Sequence, residues 1–409
     1  MTSFLVFWTC AAVHGQSVWF GSDHSLNALN DHQTMLISEL PENVELLCRT
    51  SDGGAWVHVA NEASLRRYSS SGQLLNEVTT EIGLAGMALD ASGVLWATRP
   101  GLDDVIRVNE DSGILESIPV AGVPYGVTVD GLGSIWVSCS FSNEVVKLSS
   151  DGQLVQTTPV GFFPTGISAT HDGGVWLAEK QGLRRLDSNG QTVWADVAGV
   201  FPIGVTTDLQ GRGWFTCQSS HQVVVVSDAG IDLILDVSER PLGIAAHADG
   251  SVTVLSRLGS DVQRFSASGN LIISQNIPAP GGMGDLTGLQ TALVVSPWSD
   301  FDGDGIANGD EVLLGSDPYY EPQQLFVRGD VDRNGVVQLT DAILALGILY
   351  SGSETNCLEA VDVNADDQLN LADPIRILGY LFSGAQPPES PFPVEGEDPA
   401  PIPGFSCPE

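Results

Sequence analysis

Basic side chains are scarce in this chain: 16 Lys and Arg stand against 51 Asp and Glu, a formal net charge of −35 over 409 residues. An acidic balance on this scale excludes nucleic acids and anionic membrane surfaces as partners, because both need basic patches. Long apolar runs are missing too. No stretch approaches the ~18 residues of a membrane span, although 43% apolar content is enough for a large core. Six cysteines without a CxxC pair exclude a zinc ribbon or dithiol redox centre. There is no Gly-rich phosphate loop and no nucleophile elbow, and the seven histidines show no paired spacing.

What the chain does hold is one calcium-type loop and helix written twice, 32 residues apart. Asp330, Asp332, Asn334, Gly335, Gln338 and Asp341 fall at positions 1, 3, 5, 6, 9 and 12 of a twelve-residue loop, and Asp362, Asn364, Asp366, Asp367, Asn370 and Asp373 repeat it. Ca²⁺ takes about six to eight oxygen ligands, which such a loop supplies from short carboxylates, amides and the position 7 carbonyl, here Val336 and Gln368. The following helices match at the same offset: Ile343 with Ile375, Leu346 with Leu378, Gly347 with Gly379, Tyr350 with Phe382, Gly352 with Gly384. A third loop places Asp300, Asp302, Asp304, Gly305, Asn308 and Glu311 at the same positions, with Ile306 at position 7. Two to three calcium ions are therefore expected, in a region whose basic residues are Arg328, Arg333 and Arg376 alone.

The upstream loop, in "DFDGDGIANGDEVLLGSDP", resembles a single thrombospondin type 3 calcium repeat. The paired unit, from about Phe326 to Glu409, resembles the dockerin family, whose tandem repeats dock onto cohesin receptors. At positions 10 and 11, where cellulase-complex dockerins carry a small hydroxyl pair, this chain has Leu339-Thr340 and Leu371-Ala372. The resemblance implies attachment to a surface or scaffold protein, with a cohesin-like receptor as one form of it.

The first fifteen residues read as a signal peptide: an apolar stretch of about ten ending in small residues, with Val13 and Gly15 before the cut. Cys10 would leave with it, and Cys48, Cys139 and Cys217 lie in apolar strand-like runs that suit buried thiols. In an oxidising compartment a Cys357–Cys407 bridge would fold the Pro-rich tail back over the helices, closing a loop of about fifty residues and stabilising by roughly 2 to 4 kcal/mol.

Residues 17 to 297 repeat with a period near 40, marked by Trp19, Trp56, Trp96, Trp136, Trp176 and Trp214. Each unit reads as four short strands between Gly-rich turns, with Pro124, Pro164, Pro202 and Pro241 each two residues ahead of a Gly at the start of a first strand. That is the signature of a β-propeller. Six units plus partial ones near Trp19 and Leu293, joined to close the ring, give seven blades; six or eight fit the same count. The pattern resembles NHL-like and streptogramin lyase-like propellers. In the lyases, His and Glu at the propeller mouth transfer protons and hold Mg²⁺, often with Pro-His-Gly at the first strand. Here the corresponding triplets are Pro124-Tyr125-Gly126, Pro164-Thr165-Gly166, Pro202-Ile203-Gly204 and Pro241-Leu242-Gly243. His171 and His247 read as surface residues in Asp-Gly turns, and Glu179 as a solvated rim carboxylate.

The expected fold is thus mainly β: a signal peptide over 1–15, a propeller over 16–297, a calcium loop and linker over 298–320, and a small all-α calcium module over 326–409. The expected function is that of a secreted or cell-surface protein whose propeller binds an unknown ligand or protein and whose tail attaches it. No catalytic residue is assigned. The alternative is a lyase-like or carbohydrate-active propeller delivered to a polysaccharide-degrading complex. Chelation is expected to unfold 326–409 and spare the propeller.

Overall fold

A computed structural model describes residues 18–396 apart from 23, 30–33, 41, 60–61, 82, 111–112, 282–284, 320–324, 354, 356 and 367. The signal peptide, Cys10, Asp367 and Cys407 lie outside the described residues. The chain divides into two compact units, one within Val13–Tyr320 and the other within Glu321–Glu409. The stretch read as a linker therefore belongs, in its described part, to the larger unit.

Seven four-stranded antiparallel sheets make up the larger unit, so the count of seven holds over six or eight. Six blades use four consecutive strands, the third for example Pro124–Val129, Ile135–Cys139, Glu144–Leu148 and Leu154–Pro159. The seventh joins the two ends of the unit: Pro280–Gly281 pairs with Val18–Ser22, which continues into Ser25–Leu29 and Thr34–Glu39. Middle strands such as Ile135–Cys139 are buried throughout, whereas outer strands such as Leu271–Asn276 alternate with the two-residue period of a half-solvated face.

Two side-chain devices repeat. Asp90, Asp130 and Asp208 each stand six residues before a Trp; one carboxylate oxygen accepts two turn N–H groups and the other accepts the indole N–H of Trp96, Trp136 and Trp214 at 3.0, 2.9 and 2.7 Å. Buried charge is satisfied in this way by local donors. In the sixth blade His247 takes the Asp place and meets Thr253 at 2.7 Å, but it is buried, not on the surface as its turn position suggested. In the fourth blade Thr170, not His171, stands six before the Trp, and Trp176 turns to the Gly211 carbonyl instead, at 2.9 Å.

The second device is a glycine in the innermost strand, in the triplets at Pro124, Pro164 and Pro202 and in Leu84-Ala85-Gly86 of the second blade. A Cβ on Gly86, Gly126 or Gly204 would lie 2.5–2.6 Å from the carbonyl of Tyr125, Thr165 or Leu242 in the next blade, and one on Gly166 closer still to that of Ile203. Only glycine lets the inner strands approach this tightly around the channel. The sparse cations serve the blades as well: Arg107, Lys147, Arg185 and Arg212 lie 4.4 to 5.6 Å from the ring centroids of Trp96, Trp136, Trp176 and Trp214.

Leu293 lies not in a strand but in a π-helical turn, Thr291–Val295. The β-branched run there is overridden by Asp285, whose carboxylate accepts the Thr291 N–H at 3.1 Å and its hydroxyl at 2.8 Å. The larger unit ends in one short helix, α1 (Asn308–Leu314), closed by left-handed Gly315.

The smaller unit contains α2 (Leu339–Ser351), α3 (Leu358–Val361) and α4 (Ala372–Ser383), with Val331, Ala342, Ala345, Val361, Val363 and Ile377 as its core. Gly352 and Gly384, matched in sequence, both end their helices with positive φ, 69° and 67°. The Pro-rich segment folds back: Arg328 donates to Ser390 O at 2.8 Å and to Asp362 O at 2.6 Å, and Arg376 to Pro387 O at 3.0 Å. No helix among the described residues is long and apolar enough to cross a membrane.

Candidate functional site

All three acidic loops share one hydrogen-bond scheme. The N–H of position 5 donates to the side chain at position 3, Asp304 to Asp302, Asn334 to Asp332 and Asp366 to Asn364, at 3.2–3.3 Å. Position 7 donates to position 5, Ile306 to Asp304, Val336 to Asn334 and Gln368 to Asp366, at 2.7–3.1 Å. Gly305 and Gly335 hold the positive φ expected at position 6, 90° and 86°. Position 4 is also left-handed, at Gly303, Arg333 and Ala365, a feature the sequence pattern does not announce for the two non-glycine residues.

In the paired loops the last carboxylate is buried. Asp341 accepts the N–H of Gln338 at 2.8 Å and of Asp332 at 3.1 Å; Asp373 accepts those of Asn370 and Val363, both at 2.9 Å. The carboxylates of Asp330, Asp332 and Asp341 converge within 4.8 Å. Burial pushes the pKa of Asp330, Asp341 and Asp373 up. Buried carboxyls at this spacing are a set that a hard divalent cation would suit. On α2 and α4 the matched apolar residues face out: Ile343 and Ile375 are 58% and 55% exposed, Tyr350 and Phe382 68% and 69%. With Leu339 and Leu371 they form two copies of one exposed apolar stripe. Cys357 is disulfide-bonded; its expected partner, Cys407, is outside the described residues.

The Asp300 loop is the more extreme case. Asp300, Asp302 and Asp304 converge within 4.8 Å. Glu311 is 0% exposed, and neither of its oxygens meets a donor among the described residues; Asp302 Oδ2 is in the same condition. Burial and the neighbouring Asp302, Asp304, Asp317 and Asp300 lift Glu311 to about 8, and burial with Asp304 and Asp300 lifts Asp302 to about 7. Asn308 bonds at both ends of its amide, accepting Phe301 N–H at 2.9 Å and donating to Ser296 O at 2.8 Å.

At one mouth of the propeller channel the lining is Leu46, Met87, Tyr125, Leu242 and Ile244 together with the triplet glycines. Met87, Val127, Ile167 and Val205 line this mouth and also the cavity at the other end, making an apolar waist. On the same face Lys180 lies 5.6 to 5.7 Å from the rings of Phe162, Phe163 and Phe201, and exposed Phe141 stacks 5.8 Å from Phe163. Glu179 is buried, not a solvated rim residue: Arg184 chelates it and Gly161 N–H donates to it at 2.8 Å. Sequence reading also missed His58, which is fully buried 3.6 Å from Glu45. Its Nδ1 faces the Ser64 carbonyl at 3.0 Å and so carries the proton, while Nε2 accepts Leu84 N–H at 3.3 Å. With both nitrogens engaged, this histidine is a poor proton shuttle. The residues at the mouth do not fit the lyase-type His and Glu set that would hold Mg²⁺.

Comparison with known proteins gives a consistent picture. The family described as the virginiamycin B lyase family matches residues 8–264. A selenomethionine virginiamycin B lyase from Staphylococcus aureus is similar at 17% identity and TM-score 0.53, covering 57% of this chain and 84% of that one. A catalytically inactive histidine-to-alanine variant of the S. aureus lyase, solved with quinupristin, is similar at 15% identity and TM-score 0.52, covering 66% and 87%. A functionally unknown protein from Desulfotomaculum acetoxidans DSM 771 reaches TM-score 0.56 at 15% identity, covering 65% and 98%. A search of curated proteins finds no match.

Proposed function

Since the chain belongs to the virginiamycin B lyase family yet brings no histidine to its Pro-x-Gly triplets, we propose that it is a secreted, calcium-binding protein whose propeller holds a ligand without turning it over. The observation that carries this reading is the mouth: apolar side chains and glycine backbone line it, and His58, paired across the sheet with mouth residue Leu46, is locked between two backbone groups. A relative made catalytically inactive by replacing one histidine supports it. The Phe cluster around Lys180 suits a ligand with an apolar body and an anionic group.

The acidic loops take two to three Ca²⁺ ions, and the paired module attaches the protein to a surface or scaffold protein, a cohesin-like receptor being one form. Two equivalent apolar stripes on α2 and α4 support attachment. Secretion accords with the disulfide at Cys357. The test of the ligand site is titration with 1-anilinonaphthalene-8-sulfonate, an apolar aromatic anion. One site per chain, weakened by Lys180→Met or Leu242→Arg, is the expected result; binding indifferent to both substitutions would sink the assignment.

A second reading keeps the family chemistry or a carbohydrate-active one, with Glu45, more than half exposed and near His58, as the base. Turnover of quinupristin, followed by mass spectrometry and abolished by Glu45→Gln, is its signature. Polysaccharide cleavage would mark the carbohydrate-active form.

A further inference from the structure

The Asp300–Glu311 loop is built into the propeller. On the inner side of α1, Val312 is fully buried among Trp214, Ile244, Ala246 and Leu289. Gly309 N–H donates to Pro297 O at 3.0 Å, and Asn308 reaches Ser296 O at 2.8 Å. The helix thus backs residues 285–297, the segment that closes the channel opposite the mouth. That segment is tied to blades all round the ring. Gln290 donates to Thr128 of the third blade at 2.7 Å, Thr287 to Ala246 O of the sixth at 2.5 Å. Backbone N–H groups of Trp19 in the seventh and Arg49 in the first donate to Leu286 and Asp285, each at 3.3 Å. Past α1, Tyr319 donates to Gly288 O at 3.2 Å and its ring lies 4.8 Å from the Arg49 guanidinium, which is also 5.0 Å from the Trp19 ring.

Glu311 sits on this helix, one residue before Val312, fully buried with both oxygens bare. Asp302 beside it also has a bare oxygen. A buried carboxylate in this state opposes folding unless a cation meets it. We propose that the calcium ion held by Asp300, Asp302, Asp304, the Ile306 carbonyl and Glu311 is a structural ion of the propeller. By neutralising Glu311 it holds α1 and the closing segment across the channel end, so the propeller itself, and not the tail alone, depends on calcium. This rests on the calcium reading of the loop given above.

Eight of the nine tryptophans, Trp19 to Trp298, belong to the larger unit, so in a full chain carrying Trp8→Phe as the parent background the fluorescence reports that unit alone. The full chain is stripped with chelator, bound Ca²⁺ is counted by calorimetry, and melting is followed by Trp emission. Calcium a hundredfold above Kd raises the Trp midpoint by ~5 °C. Glu311→Gln binds one ion fewer, loses that rise, and in chelator melts no lower than the parent, because the bare buried charge is gone. Asp302→Asn is a second variant with the same expected loss of rise. The pair Asp330→Asn and Asp362→Asn removes ions but keeps the rise. An ion bound at this loop without movement of the Trp midpoint overturns the structural role and leaves the calcium reading standing; a chain that binds no calcium overturns both.

Discussion

The two units of this protein handle carboxylates in opposite ways. In the propeller, burial pushes the Asp104 carboxyl up, but hydrogen bonds from Arg99 and Ser117, with the Arg99 charge, outweigh it and hold its pKa below the ordinary range. Asp130 and Asp208 find their donors in turn amides and indoles. In the helical module, burial outweighs the backbone hydrogen bonds to Asp330, Asp341 and Asp373, and their pKa rises. The difference teaches where each unit gets its stability. The propeller is held by apolar burial and internally balanced charge, the module by a small apolar core beside loop carboxyls that burial lifts. The larger unit has its own exceptions: burial lifts Asp285 and Asp317, and it lifts Asp302 and Glu311 in the Asp300 loop, a module-type site inside the propeller unit.

The contrast breaks most visibly on chelation. Removing calcium, or replacing Asp341 and Asp373 together by Ala, should abolish the helical signal of the module; two ions at a hundredfold over Kd correspond to about 5 kcal/mol, read by circular dichroism and by proteolysis within 326–409. Next in size is Gly166→Ala in the propeller, which forces a methyl against the Ile203 carbonyl and should cost ~3 kcal/mol in Trp-monitored denaturation, with calcium uptake by the paired loops unchanged. Trp136→Phe removes the indole donor from buried Asp130, an expected loss of ~2 kcal/mol. In the module, Gly352→Ala burdens a left-handed cap by ~1 kcal/mol, visible only in the helical signal.

Acid sharpens the contrast from the propeller side. A carboxyl with a lowered folded pKa, such as Asp104, contributes stability that is fully present above its unfolded value of about 3.9 and is lost as pH falls through the folded value. Trp-monitored stability should therefore be insensitive to this pair from pH 7 to 5 and fall below about pH 4, and Asp104→Asn should flatten that fall.

Much of this was legible in the residues. The forty-residue Trp period reported seven blades because a Trp takes the same strand in six of them, held in three by an Asp turn, and Thr253 keeps the phase in the other. Loop spacing reported the local geometry because ligand positions and glycine turns are set within twelve residues. What sequence could not give were contacts made across long separations. Glu179 reads as a rim residue until Arg184 and the Gly161 amide are seen around it. His58 reads as one of seven histidines without paired spacing until Glu45 and Leu84 are brought beside it. Leu293 reads as a strand because its β-branched neighbours outvote a turn that only buried Asp285 explains. The calcium loop at 300–311 reads as separate from the propeller because nothing local says that Val312 enters a core whose residues reach back to Trp214.

The engagement of Arg107, Lys147, Arg185 and Arg212 beside the blade tryptophans has a kinetic consequence. With those cations turned inward, solvent meets a polyanion whose counter-ion cloud is enriched in divalent metal well before any loop closes on it. Capture of calcium should then be fast and steered, and slow as added salt thins that cloud.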